Sequence, residues 1–504
     1  MSEHAIVIVG TGFSGLGAAI RLKQEGIDDF VVLERSGDVG GTWHFNTYPG
    51  CRCDIPSHLY SFSFAPNPDW SNTFSHQFEI QAYLKRCAAD FGILPHVRFH
   101  TEMLDAAWDD DAQRWRIQTS QGDLEAQTLI LGPGGLAEPK LPDVPGIESF
   151  EGTAFHSARW DHGHDLAGER VAVIGTGASA IQFVPQIAPK VAQLHVFQRT
   201  PPWITRHGGR DTRPFERRLY RRLPATQKLV RGSIWALHEL LVPGLRGNRL
   251  WQAVMKAAGI KHLYGQVKDP QLRRKLKPGY AMGCKRILIS NDYYPALTRP
   301  NVDVITDGIA EVRPRSIVTR AGQEIEVDTI IMGTGFQVTD IPIAQRIAGR
   351  GGRRLADEWD GSPGAYLGTT IAGYPNLFLL TGPNTGLGHN SIVYMIESQL
   401  HHVIAALKAM RRAGAAAIEV KPEAQQRFVD EVQSMMPGTV WVSGGCASWY
   451  IDRHGRNTTL WPTFTFRFRE RARRFDPAAY VFERPRTPAA PARRPAARPA
   501  PQPA

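Results

Sequence analysis

Short apolar runs separated by a glycine-rich turn open the chain. An apolar run at Ala5–Val9 leads into the motif Gly10-x-Gly12-x-x-Gly15, a stretch with helical spacing follows, and a second apolar run lies at Phe30–Leu33. Short apolar runs bounded by glycine predict buried strands, and apolar positions three and four residues apart predict a helix. The order of strand, glycine turn, helix and strand predicts a βαβ unit.

The same design recurs further along the chain. The run Arg170–Ile174 leads into Gly175-x-Gly177-x-x-Ala180, and a helix-like segment is followed by a second strand at Leu194–Arg199. The first two glycines of such a turn allow tight bending and close approach of a pyrophosphate, and the third position needs a small residue. The helix that follows directs free N–H groups at the phosphates. Two dinucleotide-binding units are therefore predicted, with glycine turns that hold no ligand as the alternative.

The two units differ in the charge at the end of their second strand. Glu34 and Arg199 each lie 24 residues after the first glycine of their motif. A carboxylate at this place bonds a ribose diol and repels a 2′-phosphate, whereas an arginine attracts the 2′-phosphate. We therefore expect the first unit to hold FAD and the second to hold NADPH, with Thr200 and Lys285 assisting at the phosphate.

The remaining apolar segments predict how the units are joined. Asp328–Phe336 predicts a strand and turn that close the second unit, and Asn376–Asn384 predicts a late strand that returns to the first sheet. A helix is predicted from Ser391 to Met410, and residues 204–280 show a helical pattern with proline and glycine breaks. The predicted fold class is α/β, with two Rossmann-like dinucleotide-binding domains (FAD and NADP) and an all-α insertion in the NADP domain.

The second unit interrupts the first domain, and this sets the predicted domain boundaries. They are 1–145 for the first part of the FAD-binding domain, 146–340 for the NADP-binding domain with its helical insertion at about 205–280, 341–484 for the second part of the FAD-binding domain, and 485–504 for a tail. The tail is almost entirely Pro, Ala and Arg, a composition that predicts disorder.

The net charge of +11 raises the question of an anionic partner. Basic residues concentrate in the tail and between Arg206 and Lys277. No nucleic-acid recognition motif accompanies them, so we interpret the second run as a solvated helical face and expect no nucleic-acid partner. Contact with an anionic membrane surface stays open. Apolar runs are far shorter than the roughly 18–20 residues of a membrane-spanning helix.

Five cysteines in 504 residues do not predict a disulfide framework. The N-terminus lacks the basic and apolar regions of a signal peptide, so a reducing, cytoplasmic location is expected. Cys51 and Cys53 are interpreted as two ordinary loop thiols, because flavin disulfide reductases need a more widely spaced redox pair. No clustered Cys and His pattern predicts a metal site.

Two longer motifs specify rare residues at fixed spacing, and every specified position is filled. They are Phe150-x-Gly152-x-x-x-His156-x-x-x-Trp160-Asp161, and Gly40-Gly41-x-Trp43 followed after four residues by Tyr48-Pro49-Gly50 and after three more by Asp54. On these residues the chain resembles the type I Baeyer–Villiger monooxygenases of the flavin-containing monooxygenase superfamily, over nearly its whole length except the tail. Related enzymes that oxidise nitrogen or sulfur usually lack the terminal Trp-Asp.

The resemblance implies an NADPH- and O₂-dependent flavoprotein that inserts one oxygen atom next to a carbonyl, turning a ketone into an ester or lactone through a flavin C4a-peroxide. The implied substrate is a small ketone or aldehyde, and a flavin N- or S-monooxygenase is the alternative. A non-catalytic flavoprotein is a third hypothesis. The segment Gly283–Tyr294 resembles the family's Lys-Arg segment, so Arg286 is the implied catalytic arginine and Asp54 its carboxylate partner. A surface salt bridge is the alternative for Arg286, and a helix cap is the alternative for Asp54.

Further site residues follow from the same matching. The implied FAD contacts are Gly12, Ser14, Gly15, Glu34, Thr42, Trp43, Asp54, Tyr60 and Met103. The implied NADPH contacts are Thr176, Gly177, Ala180, Gln182, Arg199, Thr200, Lys285 and Arg286. His156 is implied to position the linker between domains. Trp449 resembles a mobile-loop tryptophan that closes over the cofactor, with a buried core aromatic as the alternative.

The chain departs from the family pattern in three places. The second glycine motif ends in Ala180, and a motif often seen as Ala-Thr-Gly is Gly333-Thr-Gly335 here; these two leave the implied fold unchanged. The segment Gly382–Ser391 belongs to one branch of the family that is less like the cyclic-ketone enzymes. We therefore expect a carbonyl substrate without specifying a cyclic ketone. Oligomeric state is left open.

Overall fold

The computed structural model describes residues 2–338 and 341–486. The predicted disordered tail lies outside these ranges apart from its first two residues. The strands of the described residues are β1 (Ser2–Val9), β2 (Phe30–Leu33), β3 (Val97–Arg98), β4 (Met103–Asp109), β5 (Arg114–Thr119), β6 (Leu124–Leu131), β7 (Thr153–His156), β8 (Arg170–Ile174), β9 (Gln193–Phe197), β10 (Ile204–Thr205), β11 (Leu288–Ile289), β12 (Val302–Ile305), β13 (Ile309–Arg313), β14 (Ser316–Thr319), β15 (Glu324–Glu326), β16 (Thr329–Met332), β17 (Ile347–Ala348), β18 (Leu377–Leu379), β19 (Ala417–Val420) and β20 (Tyr480–Glu483).

Helices pack against the sheets and form most of the segment between β10 and β11. The α-helices are α1 (Phe13–Gln24), α2 (Thr42–Phe45), α3 (Gln77–Asp90), α4 (Ala180–Ile187), α5 (Pro214–Arg222), α6 (Pro224–Glu239), α7 (Val242–Leu245), α8 (Arg249–Gln266), α9 (Pro270–Leu276), α10 (Tyr293–Leu297), α11 (Leu355–Trp359), α12 (Ile392–Arg412), α13 (Pro422–Ser434), α14 (Val440–Ser443) and α15 (Thr465–Arg473). The predicted strand and helix after residue 376 are present as β18 and α12.

The first sheet has the order β17-β4-β5-β6-β1-β2-β3, and β18 also pairs with β6. β1 lies parallel between β2 and β6, with Val7 opposite both Val31 and Leu129. Alternate side chains of β1 enter different cores: Ile8 packs in the cluster that contains residues of α1 and α12, and Val7 packs in the cluster around Trp115. Because both faces are covered there, the strand is apolar from Ala5 to Val9 rather than alternating.

The second sheet has the order β12-β9-β8-β16-β7 and is parallel throughout. Ile174 at the end of β8 lies opposite Phe197 of β9 and Met332 of β16. β16 is the predicted strand that closes this unit. Apolar residues of both sheets, including Ile8 and Val173, belong to one continuous core. The two nucleotide units therefore pack against each other.

The predicted helical insertion is present as α5 to α9. It leaves the second unit after β10 and returns at β11, and these two short strands pair, with Ile204 opposite Leu288. Its entry and exit therefore lie side by side. These helices bury only some of their apolar side chains against the body of the protein. Several large apolar side chains of α5, α6 and α8 are exposed. The exact domain boundaries remain predictions.

Candidate active site at the meeting of the two units

The first glycine turn is sterically fixed by its neighbours. Gly10 has φ +94°, which favours glycine, and a Cβ placed on Gly15 would lie 1.8 Å from the carbonyl oxygen of Gly10. The helix α1 then begins at Phe13 with no side-chain cap and no acid in its first turn. Its free N–H groups and positive dipole end are therefore open to a phosphate. Ser14 is buried at the same turn.

Glu34 is buried at the end of β2 and is fully hydrogen-bonded within the protein. One carboxylate oxygen accepts from the backbone N–H and the hydroxyl of Thr11, at 3.0 and 2.6 Å, and the other accepts from the N–H and hydroxyl of Ser36, at 2.9 and 2.7 Å. The carboxylate has about four acceptor positions, so a ribose diol must replace a hydroxyl donor. Both hydroxyls can rotate away, and Glu34 fits the role of ribose acceptor.

Two aromatic side chains lie near the first glycine turn. The indole N–H of Trp43 donates to the Tyr60 hydroxyl at 3.2 Å, and the two rings meet edge to face at 5.6 Å. Thr42 begins the short helix α2, and the Gly41 before it lies against Gly12, because a Cβ on Gly41 would be 2.9 Å from the Gly12 Cα. The starts of α1 and α2 thus converge. Met103 is buried at the start of β4 in the same sheet.

The second glycine turn is as tight as the first at its first glycine but more open at its second. Gly175 has φ +109°, and a Cβ there would lie 2.4 Å from the Gly333 carbonyl oxygen, whereas no atom lies within 4 Å of a Cβ on Gly177. Ala180 begins α4, which has no side-chain cap and no acid in its first turn. The Thr176 hydroxyl donates to the Thr200 carbonyl at 3.5 Å. This helix end also suits a phosphate group.

Two cations converge beyond the second strand of this unit. Arg199 is exposed, and Lys285 is half-buried. Burial and, after it, the charge of Arg199 lower the pKa of Lys285. Among residues 2–338 and 341–486, no carboxylate pairs with either cation. Two like charges held together without an acid favour binding of an anion, and the 2′-phosphate of NADPH fits this requirement.

Gln182 has a different setting from the one its motif implies. Its amide oxygen accepts from the Tyr48 hydroxyl at 3.1 Å and from the Arg52 N–H at 3.2 Å, and its amide nitrogen donates to the Arg52 carbonyl at 3.1 Å. The side chain therefore joins α4 to the loop of the first unit that carries Tyr48 and Asp54. It holds the two units together and leaves one amide N–H for a nucleotide.

Arg286, in a loop of the second unit, and Asp54, in the first unit, form an ion pair that is held by two hydrogen bonds. Nε and Nη2 of Arg286 donate to the two carboxylate oxygens at 2.5 and 2.7 Å, and Nη1 donates to the Leu387 carbonyl at 3.3 Å. Burial opposes ionisation of Asp54, but the attraction and hydrogen bonds of Arg286 outweigh it and lower the pKa of Asp54. The two side chains are 28% and 25% exposed, so the pair is partly accessible.

Two residues beside this pair were not predicted from the sequence. Tyr450 is buried, and burial raises its pKa to about 12 despite the opposing effect of Arg286. Nδ1 of His238 donates to the Ile234 carbonyl at 2.8 Å, which leaves Nε2 as an acceptor in the neutral ring. Burial lowers the pKa of His238, and the charges of Arg286 and Asp54 act on it in opposite directions. The ring of His238 therefore lies within electrostatic reach of the pair.

His156 of the fingerprint motif is buried at the end of β7. Its Nδ1 accepts from the Ala158 N–H at 3.1 Å, and its ring meets Phe336 edge to face at 5.9 Å. Burial lowers the pKa of His156 to about 4, so the ring is neutral at pH 7. Trp160 packs on Phe183 of α4 at 5.3 Å. The motif thus holds the edge strand β7 in place beside the segment that follows β16.

A disulfide joins Cys284 to Cys446, which the sequence analysis did not expect. The two residues are 162 positions apart, so no local pattern indicates the pairing. Cys284 precedes Lys285 directly, and Cys446 lies in the loop that carries Trp449. The Trp449 side chain is 47% exposed and its ring lies 4.3 Å from that of Tyr450, which does not fit the alternative of a buried core aromatic. Cys51, Cys53 and Cys87 are buried free thiols.

A buried carboxylate connects the helical insertion to the start of α12. Glu239 at the end of α6 accepts from the Asn390 amide at 2.7 Å and from the N–H and hydroxyl of Thr465 at 2.9 and 2.7 Å. Nδ1 of His389 and the Ser391 hydroxyl are buried nearby without a partner among the described atoms. Nε2 of His389 donates to Glu239 at 3.3 Å, which leaves Nδ1 as an acceptor in the neutral tautomer, whereas the Ser391 hydroxyl can donate. Together, at the positive end of α12, these two atoms suit a ring that carries both donors and acceptors, such as that of a flavin. Glu239 belongs to no sequence motif, so its place in the site could not be predicted from the sequence.

Comparisons with known proteins identify the family to which the chain belongs. The family model described as flavin-binding monooxygenase-like matches residues 3–237. A Baeyer–Villiger monooxygenase from Streptomyces coelicolor is 51% identical over 485 residues, covering 96% of this chain and 93% of the relative. A crystal structure of OTEMO in complex with FAD and NADP has a TM-score of 0.86 and 28% identity, covering 95% of this chain and 99% of that one.

A closed crystal structure of cyclohexanone monooxygenase is also similar, with a TM-score of 0.85 and 27% identity over 96% of this chain and 100% of that one. The predicted fold class and the expected cofactors, FAD and NADPH, are thereby confirmed. The alternative of a flavin N- or S-monooxygenase is not favoured. The chain belongs to the Baeyer–Villiger monooxygenase family, whose flavin-dependent enzymes use NADPH to insert an oxygen atom next to a carbonyl.

Proposed function

We propose that Arg286 is the catalytic cation of this enzyme and that Asp54 is its positioning residue. The observation that carries this proposal is the two-bond ion pair between them, partly exposed where the two nucleotide units meet. Neither the alternative of a surface salt bridge nor that of a helix cap fits a pair that joins two domains. The substrate class we propose is a small ketone or aldehyde, oxidised by O₂.

The residues present fit both cofactors. The uncapped start of α1 and the buried Glu34 suit FAD. The uncapped start of α4 suits NADPH together with Arg199 and Lys285, which pair with no carboxylate in the part of the chain that the structure describes. When bound, FAD supplies electron transfer from NADPH and activation of O₂. Trp43 and Tyr60 form part of the FAD pocket wall in this proposal, and Met103 lies below it in the first sheet.

The guanidinium of Arg286 keeps donors free for the reacting atoms. It has five N–H groups, of which two bond Asp54 and one bonds the Leu387 carbonyl, so two remain. Negative charge develops on the substrate's carbonyl oxygen when an oxygen nucleophile forms a bond to the carbonyl carbon. A fixed cation stabilises that charge, and removing one such donor typically slows a reaction by about 10²- to 10³-fold.

Asp54 fixes the plane of the Arg286 guanidinium. Because the ion pair lowers the pKa of Asp54 and raises that of Arg286, both groups stay charged throughout the neutral pH range. The disulfide and the loop around Trp449 lie next to Lys285, and we propose that this loop covers the NADPH and excludes water from the pair.

We place the enzyme in the cytoplasm, where NADPH is generated. Disulfides persist mainly in oxidising compartments, so in this location the Cys284–Cys446 bond is exposed to cellular dithiols. The proposed domain division is that of the sequence analysis, with residues 146–340 forming the NADP-binding domain.

The test replaces Arg286 by Ala and separates the two halves of the reaction. We expect Arg286→Ala to keep its flavin and to be reduced by NADPH without oxygen at a rate close to that of the wild type. Ester or lactone formation from a panel of cyclic, aliphatic and aromatic ketones and aldehydes should fall by about 10²- to 10³-fold. Ester formation at the wild-type rate would overturn the proposed role of Arg286.

A second variant distinguishes loss of catalysis from loss of folding. Removal of Arg286 alone leaves the Asp54 carboxylate without its partner, and breaking a buried pair can cost about 3–5 kcal/mol. The double variant Arg286→Met with Asp54→Asn contains no such charge and should fold, keep its flavin and make no ester. Asp54→Asn alone keeps the shape of the pair, so it should lower ester formation less than Arg286→Ala does.

A further inference from the structure

The helical insertion carries most of the molecule's excess positive charge. Residues 206–277 contain eighteen Lys and Arg and four Asp and Glu, whereas the whole chain has 59 and 48. The rest of the chain is therefore close to neutral. Such a local excess attracts an anionic partner, and its effect falls with added salt.

The same segment also exposes large apolar side chains. Within residues 215–264, ten such side chains are more than a third exposed. We call nine of them the outer face of the insertion: Phe215, Leu219, Leu223, Leu229, Leu237, Leu240, Leu250, Trp251 and Val254. Exposed apolar residues that occur singly are ordinary, whereas a contiguous apolar patch marks an interaction surface. Within this set, Phe215, Leu219 and Leu223 line one surface depression.

Helix α5 shows most clearly that this face is distinct from the packed side. Arg217 and Arg221 turn towards the body, where Arg217 donates to the Ser71 carbonyl at 3.2 Å and Arg221 pairs with Asp69 at 2.6 Å. Tyr220 is buried between them in sequence. α5 is therefore anchored to the first domain by its inner side.

The other side of α5 alternates apolar and basic residues. Phe215, Leu219 and Leu223 follow one another every four residues, so they form a stripe on the helix surface, and Phe215 is 59% exposed. Arg218 and Arg222 line the same surface depression as this stripe. Among the described residues, neither arginine pairs with an acid. Long basic side chains beside a leucine stripe are typical of helices that lie in a membrane interface.

The exposed positions of α6 and α8 continue this composition. In α6, Leu229 and Leu237 are exposed two turns apart, and in α8 Leu250 and Val254 are exposed one turn apart. No helix in residues 2–338 and 341–486 is both long and apolar enough to cross a membrane. Binding parallel to a surface is the arrangement that remains compatible with these helices.

We propose that the outer face of the insertion binds an anionic lipid surface. Nucleic acid would match the charge but offers the exposed leucines no apolar contact. A second copy joined through the same face would bring two strongly positive surfaces together, because a two-fold interface pairs each patch with itself. An anionic bilayer supplies both the negative headgroups and the apolar layer beneath them.

The test is co-sedimentation of the full chain with vesicles. We expect binding to vesicles of phosphatidylcholine mixed with phosphatidylglycerol, weaker binding at high salt, and little binding to phosphatidylcholine alone. Each cation near an anionic surface contributes about a fivefold factor in affinity. Arg218→Glu with Arg222→Glu should therefore lower binding by at least about 20-fold, and Phe215→Ser with Leu219→Ser and Leu223→Ser by at least about tenfold.

Matched control variants replace exposed residues of the same types outside the helical insertion. The apolar control is Phe78→Ser with Leu141→Ser and Val481→Ser, and the charge control is Arg315→Glu with Arg320→Glu; both should bind as the wild type does. All variants should keep their flavin and its reduction by NADPH. Equal binding by patch and control variants would assign the effect to other basic segments such as the tail and overturn the proposal. So would the absence of binding, or a patch-dependent dimer in light scattering without lipid.

Discussion

The two nucleotide units share one topology but differ in how tightly they enclose their ligand. In the first, a Cβ on Gly15 would collide with the Gly10 carbonyl, Gly41 lies against Gly12, and Glu34 is buried with both oxygens bonded. In the second, the position that corresponds to Gly15 is Ala180, which already carries a Cβ, and Gly177, which corresponds to Gly12, has open space around it. Arg199 is exposed and pairs with no carboxylate among residues 2–338 and 341–486.

This difference matches the two ligands. A prosthetic group that stays bound through many turnovers is served by a closed site, because an enclosed ligand dissociates slowly. A co-substrate that arrives reduced and leaves oxidised in each turnover needs an open site whose affinity comes from accessible charges. The fold is therefore duplicated, while the residues around each turn decide whether its nucleotide stays or exchanges.

The largest expected effect comes from adding one carbon atom to the closed turn. Gly15→Ala places a Cβ 1.8 Å from the Gly10 carbonyl oxygen, so the turn must open and the FAD site is lost. We expect the purified variant to be colourless, as measured by the ratio of flavin to protein absorbance. Gly177→Ala meets no protein atom and should stay yellow, with a raised KM for NADPH. A yellow Gly15→Ala would break the distinction between the two turns.

Acid should lower the free energy of unfolding of both nucleotide units, because each contains a buried neutral histidine. Burial lowers the pKa of His156 in the second sheet and of His402 in α12 to about 4, below the 6.5 of the unfolded chain. As pH falls below 6.5, the unfolded state binds protons that the folded state excludes, so stability is lost between about pH 6.5 and pH 4. From pH 7 to pH 5 each histidine should cost about 2 kcal/mol of unfolding free energy.

Denaturant unfolding at both pH values measures this cost. His156→Gln and His402→Gln should each lose about 2 kcal/mol less than the wild type between pH 7 and pH 5. Equal losses in wild type and variants would show that these rings are not the groups that take up protons.

The smallest expected effect concerns the open unit. The disulfide between Cys284 and Cys446 ties the Trp449 loop to the segment that holds Lys285 and Arg286. Cys446→Ser should free this loop and speed NADP⁺ release a few-fold, because loop opening often limits product release. Stopped-flow displacement of NADP⁺ measures the rate, a dithiol should reproduce the effect in the wild type, and Cys87→Ser is the control. An unchanged release rate in reduced protein would remove the loop from this step.

Local patterns were sufficient to predict most of the fold. The glycine motifs, the closing strand β16, the returning strand β18 and the helix α12 each follow from periodicity and turn residues within a short segment. The opposite charges of Glu34 and Arg199 were visible because both lie at a fixed distance from a motif. The pairing of Arg286 with Asp54, 232 residues apart, came only from family resemblance.

Contacts between distant segments were not predictable from such patterns. Gln182 lies in a nucleotide motif, yet its amide bonds the loop of the other unit. The Cys284–Cys446 bond and the contact of Glu239 with Thr465 likewise join segments that meet only after folding. A hydrophobic period specifies which face of an element is buried, but it does not specify which residue of another element lies opposite a polar side chain.

The most direct test of the account reverses the charge of Arg199. The ratio of kcat/KM for NADPH to that for NADH should fall by about 10- to 100-fold in Arg199→Glu, the loss expected for a charged hydrogen bond to the 2′-phosphate. The flavin content and the use of NADH should stay close to those of the wild type, and Arg315→Glu should leave the ratio unchanged. An unaltered preference for NADPH in Arg199→Glu would contradict the assignment of the two units to their nucleotides.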